Sequence, residues 1–311
     1  MKLRYGIIGA GAIGGYYGGR LAQHGADIHF LYHSEYEQVK NNGLRVDSVN
    51  GDFHLTDMNV YAHSEDMPKC DVVIVALKTT QSDKVASLVK PLLKEGSHIL
   101  LVQNGLGYEE ELAKELPDYY IGGGLAFICS SRIAPGHILH ADYGALTVAW
   151  YKSKKNEDVA NQIKTDFEQA EVPYTTGDDL NFFRWRKLVW NIPYNGLAVA
   201  LMATTEEIMK NPSTRQLAAD MMKEVVTAAR ACGAMIKDSF IDRMLENTEK
   251  MKPYAPSMRL DFDNHRPMEI QAIYSNPIQI AKAAGVEMPK VEMLEQQLRF
   301  IESREIANSG K

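Results

Sequence analysis

Apolar positions change their rhythm once along this chain, and the change predicts two regions. In the first, short β-branched runs alternate with helix-spaced stretches. Leu3 to Ile8 predicts a first buried strand, Ile13 to His24 the helix after it, and Asp27 to Tyr32 a second parallel strand. Asp71 to Leu77 and His98 to Val102 are almost unbroken apolar runs, as in strands covered on both faces of a parallel sheet. Between them, Asp83 to Leu93 sets Val85, Leu88, Val89, Leu92 and Leu93 at amphipathic-helix spacing. Leu125 to Trp150 reads as short strands around a Pro135-Gly136 turn, and Glu157 to Ala170 as one more helix. Beyond Thr175-Thr176-Gly177-Asp178-Asp179 the pattern is helical: Pro212 to Cys232, Glu269 to Ala284, and Val291 to Ile301, with Gly285 and Pro289 marking an end and a restart. The expected architecture is α/β. An N-terminal Rossmann-type doubly wound parallel sheet (1–177) precedes an all-α C-terminal domain (178–311), with the ligand cleft between them.

Residues Gly9-Ala10-Gly11-Ala12-Ile13-Gly14 fall between the first strand and the first helix, which is where a G-x-G-x-x-G dinucleotide fingerprint works. The first glycine allows the tight turn, the second lets backbone approach a pyrophosphate, and the third lets helix and strand pack closely. The helix N-terminus then offers unpaired N–H groups and the positive dipole end to the phosphates. An NAD site usually places an acidic residue at the end of the second strand, about twenty residues on, for the ribose 2′-OH. Here that stretch reads Leu31-Tyr32-His33-Ser34; Asp27 lies at the strand's start and Glu35 belongs to the next helix. The pattern favours NADP (NADPH), with His33 and Ser34 facing the 2′-phosphate and Lys40 within reach, although the expected arginine is missing.

Length and composition narrow the class. The 311 residues allow two domains of ordinary size, and 45% apolar with 24% charged residues is a globular balance. A formal net charge of −6 without a Lys/Arg block gives no footprint for nucleic acid. No apolar run reaches membrane-span length, and the N-terminal apolar stretch is a glycine-broken strand rather than a signal peptide. Three scattered cysteines, Cys70, Cys129 and Cys232, fit free thiols in a reducing cytoplasm. No histidine pairing has metal-ligand spacing, so no metal is expected.

Further polar motifs supply candidate chemistry. Lys78-Thr79-Thr80-Gln81 and Gln103-Asn104-Gly105 each follow a predicted parallel strand, where ligands bind in this fold. In Trp185 to Asn195, Lys187, Asn191 and Asn195 recur every fourth residue and so share one helix face. That spacing alone usually marks a solvated stripe. Here Leu188, Val189, Trp190, Ile192 and Tyr194 predict a helix buried on nearly all sides, and a buried lysine is costly unless it is used. Pro193 should kink this helix. Taken alone, Glu269 is a first-turn carboxylate favoured by the helix dipole.

These motifs together resemble the 2-dehydropantoate 2-reductase, or ketopantoate reductase, family over the whole chain. The resemblance rests on Gly9–Gly14, Lys78, Gln103-Asn104-Gly105, the Lys187/Asn191/Asn195 face, and Ser257 followed by Glu269. It implies an NADPH-dependent oxidoreductase reducing a small-molecule 2-oxo acid to a 2-hydroxy acid, with 2-dehydropantoate to (R)-pantoate as the expected reaction of pantothenate biosynthesis. It implies Lys187 as general acid supported by Glu269, and Ser257 on the substrate carboxylate. Asn104, Asn191 and Asn195 would position substrate, and Asn104, Glu269 and Lys78 would also approach the cofactor. The chain departs from the family pattern at His33 (usually arginine), at Thr204-Thr205 (asparagine or glycine) and at Tyr254 (asparagine). The alternatives are another hydroxyacid or opine-type dehydrogenase, and an NADP-sensing protein without turnover. A homodimer is an open assembly state.

Overall fold

A computed structural model describes residues 2–251 and 255–309. The chain forms two compact units: Met1–Gln103 with Tyr108–Leu180, and Asn104–Gly107 with Asn181–Lys311. The short segment 104–107 thus belongs with the later helices, although it follows directly on the first unit's chain.

The first unit is built on one sheet. Strand β1 (Arg4–Ile8) lies between β2 (Asp27–Leu31) and a later strand, Cys70–Val75, parallel to both, so the winding reverses at β1. Three short strands intervene in sequence: β3 (Leu44–Ser48), β4 (Phe53–Leu55) and β5 (Asn59–Tyr61). Cys70–Val75 is therefore β6, and it pairs in parallel with β7 (Leu93–Leu101). Alternate residues of these strands enter different cores. Ile7, Val72, Ile74 and Leu100 join one cluster; Ile8, Val73, Val75, Ile99 and Leu101 join the other. Burial on both faces is why the runs read as unbroken apolar stretches. Helix α1 (Ala12–Gln23) follows β1, as its spacing predicts.

Three sequence expectations need correction. The helix expected over 83–93 shrinks to Val85–Val89 between two 3₁₀ turns, and Leu93 already begins β7. Pro91 contributes to this, since it lacks an amide donor for the helical ladder, and the backbone turns extended at Leu93. The short strands expected over 125–150 are two long ones, β8 (Tyr120–Ala134) and β9 (His137–Trp150), paired antiparallel through the Pro135-Gly136 turn with three register shifts. Strands β3 to β5 have no counterpart in the sequence reading; they are three to five residues long and mix polar with apolar positions.

The second unit is helical, apart from the 104–107 segment. Leu180–Ala200 runs as one helix through Pro193, so the proline does not end it. Pro212–Ala231 and Pro289–Ser309 are the other long members. The helix expected from Glu269 instead opens with a π-helical turn, Gln271–Ser275, in which Asn276 N–H bonds the Gln271 carbonyl, and continues as Asn276–Ala283. No helix among the described residues is long and apolar enough to cross a membrane.

Candidate active site

In the first unit the fingerprint glycines do three different jobs. Gly9 has φ of +87°, and a Cβ there would lie 2.6 Å from the Leu77 nitrogen. The Ala76 amide donates to the Ile8 carbonyl at 2.8 Å, so the turn after β1 lies against the end of β6. A Cβ on Gly14 would sit on the Gly9 carbonyl oxygen, so only glycine lets α1 close onto the turn. A Cβ on Gly11 meets nothing within 4 Å. The fold itself therefore sets no steric demand for glycine at Gly11, and the turn is left open at the place where a dinucleotide fingerprint would receive a pyrophosphate. Ala10, Ala12 and Ile13 complete the turn, and the first turn of α1 carries no acidic residue to offset its dipole. Lys78 is exposed just past β6, and the Gln103 amide donates to the neighbouring Leu77 carbonyl at 2.8 Å.

At the end of β2, Tyr32 is buried while His33 and Ser34 are exposed. Glu35 is the nearest carboxylate, and it is buried and engaged. It pairs with Arg132 and accepts the Gly136 amide at 2.8 Å. Exposed Lys40 has its ammonium 5.2 Å from the Tyr36 ring centroid.

The second unit gathers most of the remaining candidates. Lys187, Asn191 and Asn195 lie on the Leu180–Ala200 helix, and both asparagines are buried. Lys187 is only partly covered as a residue, yet its ammonium lies deep enough that burial is the largest influence on it. Burial first and the Arg184 charge second lower its pKa from 10.5 to about 7, and Glu269 pulls it partly back up. A lysine so placed exchanges its proton near neutrality, where a general acid works best. Arg184 went unnoticed in the sequence; the available signal was its place three residues before Lys187, one turn away on the same helix.

Glu269 is buried at 4% exposure and held on several sides. Asn104 Nδ2 donates to its Oε2 at 3.3 Å, and the preceding Met268 amide donates to Glu302 at 2.8 Å. The loop carrying Asn104 is clipped onto the π turn. Leu106 N–H donates to the Ala272 carbonyl at 3.2 Å, and Asn276 Nδ2 donates to the Leu106 carbonyl at 2.7 Å. Gly105 has φ of +90°, and a Cβ on it would lie 2.6 Å from Ala272 Cβ. Nothing in the sequence reading foresaw the π turn; such turns recur at functional sites.

Ser257 begins a short helix (Ser257–Asp263), and Asn195 Oδ1 accepts from the Met258 amide at 3.0 Å and from Ser257 Oγ at 3.4 Å. Thr204 caps the helix Thr205–Lys210 through a capping box with Glu207, which gives that departure from the family pattern a structural job. Thr205 is buried, and Tyr254 lies outside the described residues. Cys70, Cys129 and Cys232 are free thiols. Among the described residues no three His, Cys, Asp or Glu side chains are grouped to hold a metal.

A Rossmann-type unit carrying a G-x-G-x-x-G turn, followed by a helical unit, is the architecture of a nicotinamide-dependent oxidoreductase, here one acting on a CH–OH group. The comparisons with known proteins name the family. Residues 5–153 match the ketopantoate reductase PanE/ApbA family, and residues 179–302 match its C-terminal region. The chain belongs to the ketopantoate reductase family. It is 47% identical over 305 residues to a 2-dehydropantoate 2-reductase of Nostoc, covering 97% of this chain and 96% of that one. Among solved structures it is similar to 2-dehydropantoate 2-reductase from Geobacter metallireducens, with a TM-score of 0.92, 41% identity, and coverage of 96% and 99% of the two chains. The enzyme from Methylococcus capsulatus gives 0.89 at 30% identity, covering 97% and 98%.

Proposed function

We propose that this chain reduces 2-dehydropantoate to (R)-pantoate with NADPH, using Lys187 as the general acid. The observation that carries the reading is a lysine brought to about 7 by burial and Arg184, with Glu269 as its counter-charge. The bound nicotinamide supplies the hydride to the ketone carbon. Negative charge then develops on the ketone oxygen, and the Lys187 ammonium stabilises it and transfers a proton from Nζ to make the hydroxyl. Neutral Lys187 recovers its proton from water. Glu269 sustains the ammonium by opposite charge, and Asn104 holds the Glu269 carboxylate in one orientation. Ser257 binds the substrate carboxylate, and Asn191 donates to the substrate. Asn195 positions Ser257, since its carbonyl oxygen already accepts from Ser257 and Met258.

Gly9 to Gly14 would hold the pyrophosphate, with Lys78 at the neighbouring strand end. NADPH is favoured over NADH because the carboxylate nearest the end of β2, Glu35, is occupied by Arg132 and Gly136 rather than offered to a ribose. His33 and Ser34 face the same end. The free thiols fit a cytoplasmic setting. Steady-state assays of several 2-oxo acids with NADPH and NADH test the reading. The expected result is highest kcat/KM for 2-dehydropantoate with NADPH; a higher value for another 2-oxo acid would overturn the substrate assignment.

A further inference from the structure

We infer that Arg132, at the tip of the β8–β9 hairpin, is the cation that recognises the cofactor's 2′-phosphate. The inference rests on the NADPH reading and supplies a permanent positive charge at a strand end where the family pattern has arginine and this chain has His33. In a doubly wound sheet the adenosine ribose lies at the carboxyl end of the second strand. The hairpin is fastened there at two places. Ser130 Oγ donates to the carbonyl of Ala12 at 3.1 Å, at the start of the fingerprint helix, and Gly136 N–H donates to Glu35 at 2.8 Å. Arg132 lies between these anchors in sequence and reaches Glu35 through Nη1.

Two consequences follow from that pair. Glu35 has one oxygen on Arg132 and the other on the Gly136 amide, and at 8% exposure it is withdrawn from solvent. It therefore neither accepts from a ribose hydroxyl nor presents an uncompensated charge to a phosphate. Arg132, by contrast, keeps a side-chain exposure of 43%. A guanidinium carries five donors in a rigid fork, so one edge can serve Glu35 while the other faces an anion. A 2′-phosphate would bind that edge by charge-assisted hydrogen bonds, whereas a 2′-hydroxyl gains little from it. His33 and Ser34, exposed beside Glu35, complete the polar surface.

Isothermal titration with adenosine 2′,5′-bisphosphate and with AMP separates this role from that of a structural clip. Wild type should bind the bisphosphate more tightly. Arg132→Ala should weaken the bisphosphate by about 10–100-fold, the range expected for a lost charged hydrogen bond, and leave AMP within about two-fold. Arg132→Lys should restore part of the loss. Because Arg132→Ala strands a buried carboxylate, Arg132→Met combined with Glu35→Gln provides a second variant without that charge, and it should show the same selective loss. The ratio of kcat/KM for NADPH over NADH should fall in parallel. An unchanged bisphosphate affinity in the folded double variant, or equal weakening of both nucleotides, would overturn the role of Arg132 while leaving NADPH preference intact. Equal binding of both nucleotides by wild type, with equal use of NADPH and NADH, would instead overturn the NADPH reading and the inference with it.

Discussion

Changing the charges around Lys187 should move the enzyme's alkaline pH limit in opposite directions. Arg184→Met removes a positive neighbour that disfavours the ammonium; Glu269→Gln removes a negative one that favours it. Side chains three apart on a helix have Cβ atoms about 5–6 Å apart. Unit charges at about 6 Å in an effective dielectric of about 20 interact by about 3 kcal/mol. That is about two pH units as an upper limit, at about 1.4 kcal/mol each. Burial is the largest cause of the fall from 10.5 to about 7, so Arg184 accounts for the smaller share, and the opposing pull of Glu269 is smaller again. The alkaline limb of kcat/KM, which reports the free enzyme, should therefore rise by about one pH unit in Arg184→Met. It should fall by less than that in Glu269→Gln. The limb of kcat should lie above that of kcat/KM in wild type, because the bound substrate brings its own carboxylate. The assay is 2-dehydropantoate-dependent NADPH oxidation from about pH 5 to about pH 9.5, with thermal melts as a check on folding. Limbs that move the same way in folded variants, or a wild-type limb near an ordinary lysine's value, would refute the argument.

Other substitutions probe separate parts of the account. Gly11→Ala should leave the melting temperature within a degree or two of wild type, since its Cβ meets nothing within 4 Å, yet raise the Kd for NADPH at least tenfold. Gly14→Ala should lower the melting temperature, because its Cβ meets the Gly9 carbonyl; equal stability of the two variants contradicts this division of labour. Ser257→Ala should chiefly raise KM for 2-dehydropantoate, and a fall in kcat at constant KM would remove it from the carboxylate site. Folding lowers the Lys187 pKa, so the charged form opposes folding at low pH and the penalty is relieved as pH rises from about 7 to 10.5. Lys187→Met should accordingly be more stable than wild type below pH 7 and lose that rise, as urea titrations at several pH values can show.

Elements whose residues face a core on both sides were the most legible ones. β1, β6 and β7 announce themselves because each alternate residue enters an apolar cluster, and the fingerprint because Gly9 and Gly14 each answer a local steric demand. β3 and β5 pair with strands well separated in sequence, such as Val46 with Ile138, and β4 is a three-residue edge strand on β3, so none leaves a strong local pattern. The lysine helix was visible from its apolar surroundings. What depends on contacts made across long stretches of chain was not: the π turn beneath Gly105, the Asn104–Glu269 bond, and the Arg132–Glu35 pair that closes the β2 end. Glu269 shows the limit clearly, since in sequence it is a helix-start carboxylate and in the fold it faces Asn104 and acts on Lys187.

The central claim is that Lys187 donates the proton, and single-turnover reduction of 2-dehydropantoate by Lys187→Ala tests it most directly. With NADPH binding measured separately by fluorescence titration, the account predicts unchanged cofactor affinity and a rate lower by about 10²–10³-fold, the usual loss when one group opposite a developing oxyanion is removed. A Lys187→Ala enzyme that binds NADPH and reduces 2-dehydropantoate at close to the wild-type rate would contradict it.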